Sequence, residues 1–99
     1  MKITLIVAAL LALSGTAMAD QKLAQAKACL SCHQVDKKVV GPALKDVANK
    51  YKGDAKAEEH LLMVIQKGGK GVWGNVPMPP QPMVKPDEAH ALVKWVLSL

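Results

Sequence analysis

Cys29-Leu30-Ser31-Cys32-His33 is the stretch of this sequence that decides the fold. Two cysteines three positions apart, followed at once by a histidine, form the C-x-x-C-H pattern that is typical of c-type haem attachment. At a helix end the two thiols project to the same side, where each can form a thioether with a vinyl group of one porphyrin. His33 is then carried under the iron as an axial ligand, and its second ring nitrogen needs a hydrogen-bond partner. The motif predicts one covalent haem c, attached through Cys29 and Cys32.

Three other uses of the two cysteines compete with haem attachment. A thioredoxin-like dithiol also uses C-x-x-C, but it belongs near a βαβ pattern, which this sequence lacks. A structural zinc site needs four ligands, and the remaining histidines, His60 and His90, have no second ligand at metal spacing. A plain disulfide would leave His33 without a role. The adjacent histidine, the helical pattern and an export signal together favour haem.

The first 19 residues have the pattern of a secretory signal peptide. Lys2 supplies a positive start, residues 3–13 carry no charge, and Ala17-Met18-Ala19 places small residues where a signal peptidase reads them. The apolar stretch is shorter than the about 20 residues that a membrane span needs. We predict cleavage between Ala19 and Asp20, so that residues 1–19 are removed and residues 20–99 form the exported, functional domain.

Length and composition restrict the class of protein further. The chain has 99 residues, of which 51% are hydrophobic and 21% charged, so it has room for one small globular domain. It contains no Phe, two Trp and one Tyr, which predicts a small hydrophobic core. A domain of this size with such a core needs additional stabilisation, for example from a covalent cofactor. All 13 basic residues are lysines, and the lack of Arg argues against nucleic-acid binding. Loss of the signal peptide lowers the net charge from +5 to +4.

The mature chain is expected to be all-α, with four short helices and no sheet. Apolar residues recur at helical spacing, and no stretch alternates with period two for long enough to predict a strand. Capping residues and prolines mark the helix starts, and glycines mark the ends. The predicted helices lie between Asp20 and Leu30, between Pro42 and Gly53, between Asp54 and Gly68, and from Pro86 onward.

The segment between the third and fourth helices is expected to be functional. Its prolines exclude a helix, and so long a loop is uncommon in so small a domain. Met78 lies in Pro77-Met78-Pro79-Pro80, where the prolines stiffen the backbone around a thioether that can serve as the second axial ligand. Met83 is the competitor, expected to pack or to cover the haem edge, whereas Met63 is expected to lie in the core. The predicted iron ligands are therefore His33 and Met78.

With these motifs the mature chain resembles the small bacterial class I cytochromes c. These are periplasmic monohaem carriers that deliver electrons to nitrite reductase or terminal oxidases. Taken singly, the haem motif identifies only the cofactor, but all five motifs in this order and at these distances are highly specific. The resemblance rests on Cys29-Leu30-Ser31-Cys32-His33, Val40-Gly41-Pro42-Ala43, Gly71-Val72-Trp73-Gly74, Pro77-Met78-Pro79-Pro80 and Lys94-Trp95-Val96-Leu97. It implies four short helices wrapped around one covalently bound haem.

The resemblance also implies roles for residues outside the haem motif. The Pro42 carbonyl would accept a hydrogen bond from His33, and Trp73 would donate its indole N–H to a haem propionate. Three positions depart from the family pattern. Gln81 replaces an Asn that often bonds the methionine sulfur, Val64 replaces an Arg or His near a propionate, and Lys85 stands where a Ser-like helix cap is usual.

Two classes of function are compatible with a haem. A diffusible electron carrier closes both axial positions, and His/Met ligation raises its reduction potential. A haem enzyme or gas sensor needs an open position and a distal acid–base pair. The neighbours of Met78 are Pro, Val and Gln, which offer no such pair, so we expect a carrier and not an enzyme. A visible spectrum separates the two classes.

The lysines suggest the kind of partner. Positive charge near an exposed haem edge can steer an acidic protein, and Lys27, Lys70 and Lys85 are the expected contributors. The expected partners are redox proteins with acidic docking surfaces, such as nitrite reductase, cytochrome oxidase or a bc-type donor. We expect a monomer that binds no nucleic acid and, once the signal peptide is removed, no membrane.

Overall fold

In a computed structural model of the chain, the structure describes residues 20–99, and these form four α-helices and one short 3-10 turn. The elements are α1 (Gln21–Ala26), the 3-10 turn (Cys29–Ser31), α2 (Leu44–Lys50), α3 (Ala57–Lys67) and α4 (Pro86–Leu97). Within these residues the only β pairings are isolated bridges, His33 with Lys38 and Gly69 with Met78. The all-α prediction is confirmed. The predicted signal peptide lies outside the described residues.

The first helix begins where it was predicted but ends early. The Asp20 carboxylate accepts hydrogen bonds from the backbone N–H groups of Lys22 and Leu23, at 3.0 and 3.1 Å. The predicted extension to Leu30 is wrong, because Ala28 takes a left-handed conformation with φ of +65° and breaks the helix. The 3-10 turn that carries the first cysteine therefore leaves α1 in a new direction.

The second and third helices both begin later than predicted. Pro42 does not open α2, because Ala43 is extended at its N-cap with ψ of 139° and the helix starts at Leu44. Asp54 caps the turn before α3 by accepting from the Lys56 N–H at 2.8 Å, and α3 starts only at Ala57. In both places the cap or proline organises the approach to the helix.

The fourth helix starts at Pro86 as predicted and is capped from within. The Lys85 side chain has no acceptor, so it cannot replace the usual Ser-like cap. The Glu88 carboxylate instead accepts from the Lys85 backbone N–H at 2.9 Å. The same carboxylate lies 3.1 Å from the Lys27 ammonium, so the start of α4 is tied to the end of α1. These two contacts of Glu88 stabilise the N-terminal end of α4 against fraying.

The core consists of small residues gathered around α4. This helix packs against both α2 and α3, and the buried cluster includes Ala24 and Ala89 at 1% and 0% exposure. Of the ten buried hydrophobic residues in the described chain, five are alanines. Trp95 packs against this cluster as expected, but Met63 is 48% exposed, so its predicted core position is wrong. None of the described helices is long and apolar enough to cross a bilayer.

Candidate haem site

Two thiols are presented together on the 3-10 turn. Cys29 is half-buried and Cys32 is exposed, and neither is in a disulfide. Burial raises the pKa of the Cys29 thiol, so it stays neutral near pH 7. The turn is held by the Ser31 hydroxyl, which donates to the Ala28 carbonyl at 2.7 Å, and by the His33 N–H, which donates to the Cys29 carbonyl at 3.0 Å. Both sulfurs are thus free for covalent attachment.

The His33 ring is oriented by a single hydrogen bond. Its Nδ1 lies 2.8 Å from the Pro42 carbonyl oxygen. A carbonyl can only accept, so Nδ1 carries a proton and is the donor, and Nε2 is the ring nitrogen left for a metal. A ring fixed in this way is the form in which histidine binds a metal.

Gly41 packs its backbone directly against the His33 ring. A methyl group at Gly41 would lie 2.6 Å from His33 Cε1, which is too close for any side chain. The backbone N–H groups of Val40 and Gly41 both donate to the Cys32 carbonyl, at 3.1 and 2.8 Å. The need for glycine at position 41 was not foreseen, because Gly41 was interpreted as part of a helix start and of a family motif, and only the Pro42 carbonyl was assigned a contact with His33.

The loop after the haem motif also supplies the cap that α2 lacks. No side chain caps this helix, but its first N–H groups donate into the loop. Leu44 donates to the Gln34 carbonyl at 2.9 Å, and Lys45 donates to the Val35 carbonyl at 3.0 Å. An exposed ion pair between Lys45 and Asp36, at 3.0 Å, lies in the same place. The loop and α2 are therefore one unit.

Met78 is held by its backbone at the base of the proline-rich loop. Its N–H donates to the Gly69 carbonyl at 2.8 Å, and its carbonyl accepts from the Gly69 N–H at 3.0 Å. Gly68 has φ of +85°, and a Cβ there would meet the Met78 carbonyl at 2.8 Å. Met78 is half-buried whereas Met83 is 77% exposed. The structure thus distinguishes the two methionines of the loop.

The positions that depart from the family pattern take local partners. Gln81 Nε2 donates to the Pro79 carbonyl at 2.8 Å, and its backbone N–H donates to Ile65 at 2.8 Å. Val64 is half-buried and faces Gly69, so it supplies packing and no charge. These contacts belong to the chain itself and do not involve the Met78 sulfur.

Trp73 and the histidines outside the motif lie in different surroundings. Trp73 is 41% exposed, and the Lys50 ammonium lies 5.8 Å from the centroid of its ring. His90 is exposed as expected. His60 was also expected to be solvated, but its ring centroid lies 5.5 Å from that of Tyr51.

The described residues fit a haem. Large apolar side chains are left in solvent, including Val76 at 63% and Val40 at 50% exposure, so the polypeptide does not complete its own core. An apolar porphyrin would cover these exposed side chains and complete the hydrophobic core. In residues 20–99 no three His, Cys, Asp or Glu side chains are grouped so that they could hold a metal ion. Two free thiols and a pre-oriented imidazole suit an iron brought by a porphyrin.

Comparison with known proteins identifies the family. Residues 18–99 match the family Cytochrome c. Cytochrome c-551 from Allochromatium vinosum is 50% identical over 84 residues, which cover 85% of this chain and 89% of that protein. Cytochrome c-552 from Hydrogenobacter thermophilus is 48% identical over 91 residues, 92% of each chain. The crystal structure of Nitrosomonas europaea cytochrome c552 superposes with a TM-score of 0.78 at 49% identity, covering 81% of this chain and 99% of that one.

The fold and the site define a haem protein of the small, all-α kind. The chain belongs to the cytochrome c family, in its class I. It therefore carries a covalently bound c-type haem, transfers electrons to and from redox protein partners, and is a carrier, not an enzyme. The predictions of family, fold, cofactor and general function are confirmed.

Proposed function

We propose that the chain is exported and carries one electron at a time between respiratory redox proteins in the periplasm. In this proposal the signal peptide, residues 1–19, is cleaved, and the haem is attached through Cys29 and Cys32. His33 and Met78 are the axial ligands. The hydrogen bond of 2.8 Å from His33 Nδ1 to the Pro42 carbonyl is the observation that supports the assignment, because it fixes the ring and leaves Nε2 as the nitrogen available to the iron.

The histidine is prepared for ligation before any iron arrives. The Pro42 carbonyl fixes both the tautomer and the orientation of the His33 ring, and it raises the basicity of Nε2. Gly41 allows the backbone to lie against the same ring and leaves no room for it to turn toward that side. The ring therefore needs little rearrangement to bind a metal.

Met78 is supported over Met83 by burial and by its backbone. Two hydrogen bonds to Gly69 hold Met78 in place, and prolines flank it on both sides. Met83 is exposed, and its carbonyl accepts from the Lys27 ammonium at 3.2 Å, so its backbone belongs to the contact between α1 and α4. When bound, the haem supplies an iron that takes up and gives back one electron. The chain keeps both ligands in place between the two redox states, which limits rearrangement.

The proposed partners are redox proteins with acidic docking surfaces, such as nitrite reductase, cytochrome oxidase or a bc-type donor, and the protein acts as a monomer. Lys70 and Lys85 are exposed and can contribute to steering. Lys27 is less suited to steering a partner than its position in the sequence suggested, because its ammonium is paired with the Glu88 carboxylate at 3.1 Å. Trp73 is proposed to donate its indole N–H to a haem propionate.

The experiment is a spectrum and a mass of the protein recovered from the periplasm. We expect the mass of residues 20–99 plus one haem, a low-spin six-coordinate spectrum, and the far-red band of a methionine–iron bond. A high-spin protein that binds carbon monoxide readily would contradict closed axial ligation. A mass that retains residues 1–19 would contradict cleavage.

A further inference from the structure

The far end of the loop between Gly69 and Met78 needs an anchor of its own. The paired hydrogen bonds at Gly69 and Met78 close only its base. Gly71 donates to the Gly74 carbonyl at 3.1 Å, which folds the tip on itself and does not attach it to a helix. Trp73 lies between these two glycines and carries the largest side chain of the tip. The contacts of the Trp73 side chain therefore determine the position of this loop.

A lysine at the end of α2 lies within cation–π distance of two aromatic rings at this point. Lys50 is the last residue of α2, where a positive charge is favoured by the helix dipole. Its ammonium lies 5.8 Å from the centroid of the Tyr51 ring and 5.8 Å from that of the Trp73 ring. Both distances are within the range of a cation–π contact. Tyr51 is backed in turn by the His60 ring of α3.

Lys50 takes part in neither of the two ion pairs found in residues 20–99. The pairs found in residues 20–99 join Lys27 to Glu88 and Lys45 to Asp36. In the part of the chain that the structure describes, the two rings are thus the contacts that hold the Lys50 ammonium. One of these rings belongs to the same helix end, and the other belongs to the methionine loop.

We infer that Lys50 is a positioning residue for the methionine ligand. Its ammonium ties Trp73, and with it the loop that ends in Met78, to the end of α2. Opening of the loop breaks the contact between Lys50 and Trp73, whereas the contact with Tyr51 persists because Tyr51 is the C-cap residue directly after Lys50. An exposed cation–π contact of this kind makes opening about two- to fivefold less favourable, which corresponds to about 0.5–1 kcal/mol.

The inference rests on the proposed ligation by Met78 and is tested with the haem-loaded protein. Imidazole displaces a methionine ligand only when the loop opens, so its affinity for the ferric protein reports loop opening. We expect Lys50→Gln to bind imidazole about two- to fivefold more tightly than the unchanged protein and to shift the indole N–H resonance of Trp73. Lys50→Arg, which keeps the cation over the rings, should restore both readouts.

The matched control is Lys52→Gln. Lys52 is exposed, lies two residues from Lys50, and loses the same charge without contacting Trp73. Equal imidazole affinities in the two Gln variants would overturn the inference, since only net charge would then matter. A lower melting temperature in Lys50→Gln with unchanged affinity and Trp73 resonance would overturn it as well. Absence of the far-red methionine band from the unchanged protein would instead contradict the ligand assignment itself.

Discussion

The histidine segment, residues 29–45, and the methionine segment, residues 68–83, are built in different ways. In the histidine segment, backbone N–H groups donate to carbonyls at Cys29, Cys32, Gln34 and Val35, and the His33 side chain joins this network. In the methionine segment, most residues from 70 to 80 are exposed, and Met78 is held by backbone bonds to one residue. The first is a hydrogen-bonded unit, and the second is a stiff loop closed at its base.

This difference predicts how the two proposed ligands behave. The His33 ring is fixed by bonds that remain when the iron is gone. Met78 is restrained by its backbone, by prolines and by the Lys50 contact, but within residues 20–99 no hydrogen bond reaches its sulfur. We therefore expect the methionine side to open first under stress and to be the more sensitive to single substitutions.

The largest expected effect comes from removing the two cysteines through which the histidine segment is attached to the haem. The described chain buries only ten hydrophobic residues, five of them alanines, so its own core is small for a domain of this size. Cys29→Ala, Cys32→Ala should be largely unfolded or molten at 25 °C. Circular dichroism checks this, and a cooperative thermal transition in the haem-free protein would show that the segments fold without the link.

Loss of the methionine ligand should leave the histidine segment intact. Met78→Ala should abolish the far-red methionine–iron band, lower the reduction potential and open the iron to exogenous ligands. Met83→Leu is the control, because Met83 is exposed, and it should keep the band with only a slight change of potential. If the band disappeared in Met83→Leu and survived in Met78→Ala, the assignment of the loop would be wrong.

The histidine segment should be most sensitive at Gly41. A methyl group there would lie 2.6 Å from the His33 ring, so Gly41→Ala must displace either the ring or the backbone. We expect a loss of about 1–3 kcal/mol of stability, typical of overpacking, with an altered haem spectrum. Gly53→Ala is the comparison, since Gly53 has φ of +78° and no neighbour within 4 Å. It should lose about 1–2 kcal/mol from backbone strain and keep its spectrum.

Steering of partners should depend on the exposed charge of the methionine segment. Lys70→Gln should slow electron transfer with an acidic redox protein at 0.01 M salt, where the Debye length is about 30 Å, and less at 0.15 M, where it is about 8 Å. Lys27→Gln should slow it less, because the Lys27 charge is already balanced by Glu88. A rate that is independent of salt would refute steering.

The smallest effect is expected at Glu88, which lies outside both segments and ties the start of α4 to the end of α1. The Lys85 backbone N–H and the Lys27 ammonium hold the pKa of this carboxyl below its usual range. A lowered folded-state pKa stabilises the protein above the unfolded pKa, and the contribution is lost as the pH falls through the folded value. Glu88→Gln should therefore lower the melting temperature slightly at pH 7 and not at strongly acidic pH. Glu58→Gln, an exposed first-turn residue of α3, should change it less.

The sequence predicted the haem motif, the all-α class and the terminal helix signals, because these depend on local chemistry. Asp20 and Pro86 were placed correctly, since a side-chain cap and an N-terminal proline act within one turn. The early end of α1 was missed because Ala28 is a good helix former, and nothing in its identity predicts φ of +65°. The start of α2 was misplaced because Ala43 is extended and the first N–H groups of the helix donate to carbonyls of the preceding loop, which the sequence did not predict.

Tertiary contacts between distant residues were the other part that the sequence did not predict. The pairing of Gly69 with Met78, the Lys27–Glu88 ion pair and the Lys50–Trp73 contact each join residues that are separated in the chain. No periodicity encodes such contacts. They arise only once the helices have fixed the distances between loops.

The paired hydrogen bonds between Gly69 and Met78 have a kinetic consequence. A thioether that leaves the iron remains attached to a backbone that cannot move away while those two bonds persist. Its return is intramolecular, with a high effective concentration of the kind that a short tether provides, in the millimolar range or above. External ligands must compete with that concentration, so brief losses of the proposed ligand are followed by recapture. The loop is therefore a short tether for the thioether. It keeps a weak, soft ligand bound to the iron for longer than the affinity of a free thioether would allow.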